Sequence, residues 1–189
     1  LMPIAILVSV LLVRFNSIMI KRMIDSLLLT QETTTQAETI DNNEIAEENL
    51  KNEAKLNGVD EKRIIFAKRL NIKEHLKRIK LADIFLDTFP YGAHTTASDA
   101  IRMGLPLITI KGESFASRVS SSILSQVGLN ELITSNIENY KNLAIKIGKN
   151  QDFLKKLKQK LSVSLKKTLL FDSKTFTKNL ENIYIQLLE

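Results

Sequence analysis

Residues 81–124 read LADIFLDTFPYGAHTTASDAIRMGLPLITIKGESFASRVSSSIL, and this stretch decides the fold. It opens on a short apolar run, Ile84–Leu86, that reads as a strand. A loop, DTFPYGAH (87–94), leads into a helical pattern from about Thr95 that ends at Gly104. Pro106 then introduces a second strand, Leu107–Ile110, and a further helix is predicted over Phe115–Val127, closed by Gly128. Strand, helix, strand, helix at this spacing is the pattern of parallel βαβ units, and so of a doubly wound parallel sheet.

The same alternation extends upstream. Arg63–Ala67 (RIIFA) reads as a strand; Asn71 then offers an N-cap, and Glu74 three residues later completes a capping-box start for a helix to about Lys80. An earlier helix is predicted from about Glu44, with Ile45, Leu50 and Ala54 inward and a stop near Gly58. Between Thr30 and Asn43 the chain is polar, with Thr33, Thr34 and Thr35 in a row, and reads as a loop or disordered insertion. Further back, Ser9–Phe15 reads as a buried strand, with a weak N-terminal anchor as the alternative. Downstream of Ile137 only helical patterns remain, interrupted near Gly148 and around Asp172 and Ser173, so two or three helices should wrap the sheet. Residues 1–43 thus form a partial strand plus insertion, and 44–189 the domain proper.

Composition narrows the function. The chain has 189 residues, room for one ordinary domain, and its 44% hydrophobic and 25% charged residues suit a soluble globular core. There is no cysteine, which removes disulfides, thiolate metal sites and cysteine nucleophiles, and two histidines are too few for most histidine metal centres; no metal is expected. The net charge of +6 hides an uneven distribution. From Gln31 to Glu53 seven acids face one base, a balance of −6, which leaves +12 for the rest. Many of those bases follow Lys141 at helical spacing, where a solvated helix face is the commoner explanation. With no Trp and 6% aromatics the chain lacks a base-stacking platform, and no nucleic-acid partner is expected. Leu1–Val13 is apolar apart from Ser9 but shorter than the ~17–25 residues that span a bilayer. Its bases, Arg14, Lys21 and Arg22, follow the apolar run, whereas a signal peptide would have them before it. No membrane partner is expected, and a cytoplasmic setting is.

In an open parallel sheet ligands bind beyond the carboxyl ends of strands, which directs attention to the loops after Ala67, Leu86 and Ile110. The helix after the middle loop begins His94-Thr95-Thr96-Ala97-Ser98-Asp99, placing hydroxyls and free backbone N–H groups at a positive helix terminus suited to phosphate. Asp99, one turn in, could accept hydroxyl hydrogen bonds from a ribose. The plainer reading, that a threonine caps the helix and Asp99 complements its dipole, is the more common for such a pattern taken alone. Its company shifts the balance: His75 and Arg78 share one face of the preceding helix, and both histidines fall at loop–helix junctions. The familiar phosphate signatures G-x-G-x-x-G and G-x-x-x-x-G-K-[ST] are missing, as is a G-x-S-x-G elbow.

RIIFA, KEH at Lys73–His75 with Arg78, the 81–124 stretch and GLNELI at 128–133 closely resemble the O-linked N-acetylglucosamine transferase family, nearest its bacterial and plant SPINDLY-like members. The resemblance runs from about Ile45 to Leu188. It implies an α/β, Rossmann-like doubly wound parallel sheet, the C-terminal half of a GT-B glycosyltransferase, with C-terminal helices packed on it. It also implies UDP-N-acetylglucosamine as donor, protein Ser/Thr hydroxyls as acceptor, and no further cofactor. By matching position, His94, Thr95 and Thr96 would receive the diphosphate and Asp99 the ribose; Arg78, with the backbone at Leu70, would face uracil, supported by His75. No catalytic residue is expected in this chain. The family's N-terminal catalytic half, its tetratricopeptide repeats and a lysine near the diphosphate have no counterpart here, and Ile72 stands where animal members carry a lysine. The alternatives are a non-catalytic nucleotide-binding fragment, or a GT-B enzyme using another nucleotide sugar such as GDP-fucose.

Overall fold

The computed structural model describes residues 42–68 and 70–188. The expected strand at Ser9–Phe15 and all but the last two residues of the Thr30–Asn43 stretch lie outside them. Asn42 and Asn43 open a helix, α1 (Asn42–Leu56), which stops just before Gly58, at positive φ, close to where the sequence placed the stop. Then come α2 (Ile72–Ile79), β1 (Phe85–Leu86), α3 (Thr95–Arg102), β2 (Leu107–Ile110), α4 (Val119–Gln126), β3 (Ile133–Thr134), α5 (Ile137–Lys149), α6 (Gln151–Leu165) and α7 (Ser173–Leu188).

The three strands form one parallel sheet in the order β1-β2-β3, with Phe85 opposite Leu107 and Thr109 opposite Ile133. All four residues of β2 are buried, as a central parallel strand covered on both faces must be. α3 and α4 touch one another and both reach β2, while α5 packs on β2 and carries α6. The core between these layers is aliphatic: Ile101, Leu107, Ile108, Leu124, Leu129, Leu132, Ile147 and Leu161 are sealed from solvent. This is the α/β, parallel-sheet architecture that the βαβ pattern predicted.

Local sequence explains where the elements start and stop. Asn71 accepts from the Glu74 amide at 3.0 Å and donates back to the Glu74 carboxylate at 2.9 Å, a reciprocal cap for α2. Gly104, at φ +80°, turns the chain out of α3, so that Leu105 N donates to Ala100 O at 2.9 Å and Gly104 N to Ile101 O at 3.0 Å. That tight exit delivers Pro106 directly to the start of β2.

Four expectations need correction. Arg63–Ala67 is not a strand: Arg63 closes a short 3-10 turn, and the rest of the segment has no ladder partner among the described residues, with Ile65 and Ala67 exposed. The helix expected from Phe115 starts at Val119, because Ser114 and Ser117 bond each other and build a turn first. The break expected at Gly148 falls at Asn150, whose side chain accepts from the Phe153 amide and caps α6 as α5 ends. Finally, the tail gives three helices, within the expected number, but only α5 and α6 bury side chains, so α7, which buries none, does not wrap the sheet as expected. β3 had no counterpart in the sequence reading.

α6 is held mainly by Leu154, Leu157 and Leu161. Burial of such side chains is worth about 2 kcal/mol each. Its ion pairs, Lys158 to Asp83 at 2.8 Å and Lys160 to Glu131 at 2.6 Å, are more than one-third exposed, and such pairs contribute about 1 kcal/mol or less.

Candidate functional site

At the carboxyl end of β1 the chain turns at Asp87, a buried carboxylate that organises the loop to α3. Oδ2 accepts from the Thr109 hydroxyl at 2.7 Å; Oδ1 accepts from the Ala93 amide at 2.7 Å and the Thr88 amide at 2.9 Å. Its backbone carbonyl takes the Tyr140 hydroxyl of α5 at 2.8 Å. Burial raises the Asp87 carboxyl above its ordinary range, opposed by these donors, the Thr109 hydroxyl foremost. Burial, with the Asp87 charge second, pushes the Tyr140 phenol well upward, so it stays a donor.

The loop after β2 is stitched to this one. Gly92 N donates to Ala116 O at 3.2 Å, and the Ser120 hydroxyl to Ala93 O at 2.8 Å. A Cβ at Gly92 would sit 3.0 Å from Ala116 O and 3.3 Å from the Asp87 carboxylate, tighter than an ordinary contact, so the approach of the two loops favours glycine. The Phe89-Pro90 peptide within the first loop is cis.

These loops deliver His94 to the N-cap position of α3, where it forms no side-chain cap. Its ring instead contacts Ala116 O through Nε2 at 3.3 Å; a carbonyl only accepts, so Nε2 carries the proton. The ring lies parallel to Tyr91 (centroids 5.3 Å, 19°) and edge-on to Phe115 (5.7 Å, 86°). The amides of Thr95, Thr96 and Ala97 therefore have neither an intrahelical acceptor nor a cap. The side chains of Thr95, Thr96 and Asp99 make no hydrogen bond among the described residues, and Thr95 is exposed. Three N–H groups, two hydroxyls and a carboxylate one turn inward are thus left available at a positive helix end.

The second group is built differently. On α2, Arg78 donates from Nη1 to Lys68 O at 2.8 Å and from Nη2 to His75 Nδ1 at 3.0 Å, which leaves the His75 proton on Nε2. Arg78 Nε is buried without a partner. This arginine ties the Lys68 carbonyl to α2, and Leu70, two residues further on, is exposed. α2 packs on α3 through Leu76 and Ile79 against Ala100 and Met103, so the two groups sit on touching helices.

The structure brings together His75 with Arg78, and His94 with Thr95 and Thr96 in one turn, with Asp99 a turn further in. The sequence reading missed Asp87, Thr109 and Tyr140, which hold the loop, and Tyr91 and Phe115, which flank His94. An aspartate ending an apolar strand and a threonine inside one were the signals available. No cluster of three or more His, Cys, Asp or Glu suited to a metal occurs among the described residues, and no described helix is long and apolar enough to cross a membrane.

The family described as glycosyl transferase family 41 matches residues 41–180. A Caenorhabditis elegans protein named UDP-N-acetylglucosamine--peptide N-acetylglucosaminyltransferase is 34% identical over 130 residues, 69% of this chain and 11% of that protein. The SPINDLY protein of Petunia hybrida is 38% identical over 111 residues, 59% of this chain and 12% of its own. Among solved structures, a mutant of the Thermobaculum terrenum O-GlcNAc transferase matches with a TM-score of 0.70 and 26% identity, over 90% of this chain and 33% of that one. The chain therefore spans about an eighth of the length of these curated relatives.

Proposed function

The chain belongs to glycosyltransferase family 41, and from that premise we propose that residues 44–189 are the UDP-sugar-binding half of a protein O-N-acetylglucosaminyltransferase. The observation that carries the reading is the uncapped start of α3, with Thr95, Thr96 and Asp99 unspent by the protein. The relatives' names supply the donor, UDP-N-acetylglucosamine, and a peptide acceptor.

In this reading the diphosphate sits on the amides and hydroxyls of Thr95 and Thr96, and Asp99 accepts from the ribose. His94 contributes backbone position and ring packing, since its Nε2 is turned to Ala116 O. Arg78, His75 and the backbone at Leu70 face the base. During transfer an acceptor hydroxyl oxygen bonds to the anomeric carbon as the bond from that carbon to the phosphate oxygen breaks. The acceptor's proton passes to a base outside this chain. Negative charge grows on the departing UDP, and fixed helix-terminal dipoles stabilise it without reorganising. Acceptor binding, the base and the tetratricopeptide repeats belong to the rest of the enzyme, and its setting is the cytoplasm.

The short span relative to the relatives favours a companion reading: alone, the chain binds nucleotide and transfers nothing. Calorimetric titration with UDP tests the core claim. Saturable binding weakened by Asp99→Ala and by Arg78→Ala is expected; no binding, or binding indifferent to both, would overturn it. Competition between UDP-N-acetylglucosamine and GDP-fucose tests the donor.

A further inference from the structure

Outside α7, Tyr91 and Phe115 are the exposed aromatic side chains among the described residues, at 59% and 73% exposure. They are not scattered. They come from different loops, after β1 and after β2, and both lie against His94, one ring parallel to it and the other edge-on. Such geometries are the favoured ones for aromatic pairs, so the three rings form an ordered array rather than loose surface groups. Two large apolar rings held half in water add little to the core. They do place aromatic surface beside the helix cap whose amides are free.

We infer that Tyr91 and Phe115 form a platform for the sugar ring of the donor. The inference rests on the reading that α3 receives the diphosphate. The sugar is joined through a single oxygen to the second phosphate, so a diphosphate seated on Thr95 and Thr96 leaves the sugar next to the cap residue and the rings beside it. A pyranose presents a face of C–H groups carrying slight positive charge, which lies favourably on the electron-rich face of an aromatic ring. Free UDP carries no such group. The platform therefore acts on the nucleotide sugar and not on the nucleotide.

Titration of the full chain with UDP and, separately, with UDP-N-acetylglucosamine tests this on the unaltered protein and on Tyr91→Ala, Phe115→Ala and Tyr91→Phe. The expected result is a loss of about three- to tenfold in affinity for the nucleotide sugar with Tyr91→Ala, from the ~0.5–1.5 kcal/mol that ring contacts add. A similar or smaller loss is expected with Phe115→Ala, and retention with Tyr91→Phe, which keeps the ring. Affinity for UDP stays within about twofold throughout, which also reports that the variants are folded. Equal weakening of both ligands would assign the rings to the base or to the loop's integrity, and no change in either would leave them without a ligand role; each overturns the platform. Failure of the unaltered chain to bind UDP is a separate result, and it removes the underlying reading together with the platform.

Discussion

The starts of α2 and α3 are both helix termini with a histidine close by, yet they are opposites in how their polar groups are spent. At α2 the protein satisfies itself: Asn71 and Glu74 cap each other, and Arg78 divides its two terminal nitrogens between Lys68 O and His75. At α3 it withholds: the cap residue turns its ring to Ala116, and Thr95, Thr96 and Asp99 keep their hydrogen-bonding capacity. A closed terminus makes a rigid wall, whereas an open one makes a seat for an anion. The open terminus is the costlier to hold in place, and the cost falls on the loop beneath it.

That loop is where the comparison can be broken most severely. Asp87→Ala removes the acceptor for Thr109, Thr88 and Ala93 at once, leaving one buried and two partly buried donors unsatisfied. Losing one such partner costs about 1–3 kcal/mol. A total near 3 kcal/mol, read as a lower urea midpoint, is expected, together with loss of UDP binding because His94 and α3 lose their anchor. Asp87→Asn keeps one carbonyl oxygen and should cost clearly less. Unchanged stability in Asp87→Ala would show that the open terminus is not held from below.

The next test separates the two termini by readout. Thr95→Val with Thr96→Val should leave the urea midpoint nearly unchanged, since neither hydroxyl bonds the protein, while weakening UDP by about tenfold, the ~1.5 kcal/mol range of hydrogen bonds to a charged group. Asn71→Ala should do the reverse: about 1 kcal/mol of stability lost with its cap, and UDP affinity nearly kept. If the threonine pair proves to be the stabilising one, the contrast between a spent and an unspent terminus is wrong.

The division between local and distant interactions also explains what could be read from the sequence. The Asn71 cap, the Gly104 exit and the start at Thr95 are written within four or five residues, and each was legible. RIIFA has the composition of a strand, but pairing is a property of a neighbour, and composition cannot supply one. β3 is two residues long, too short to carry a period. Ser114 and Ser117 displaced a helix start by four residues through side-chain bonds that periodicity ignores. In the site the ligand-facing string HTT-x-x-D was contiguous and stood out. Its support did not, because Asp87 meets Thr109 across 22 residues and Tyr140 across 53. Tyr91 looked like an ordinary loop residue and Phe115 like the first residue of a helix until the fold set both against His94.

The smallest effect tests whether Asp87 is charged while it holds the loop. Its carboxyl is raised by burial, so the folded chain binds that proton more tightly than the unfolded chain does. Below the ordinary value near 3.8 both states are protonated and the site contributes its full stability. As pH rises past that value the unfolded chain releases its proton first, and the contribution falls until the folded carboxyl has also ionised; above that it is constant. Asp87→Asn has nothing to titrate. The stability of the unaltered chain relative to Asp87→Asn, from urea midpoints taken at rising pH, should therefore decline through this window and then level. The decline should be shallow, because the Thr109 hydroxyl and the two amides favour the charged form and offset part of the burial. A relative stability that rose with pH would mean that those donors outweigh burial, and that the floor under α3 is a stabilised carboxylate rather than a strained one.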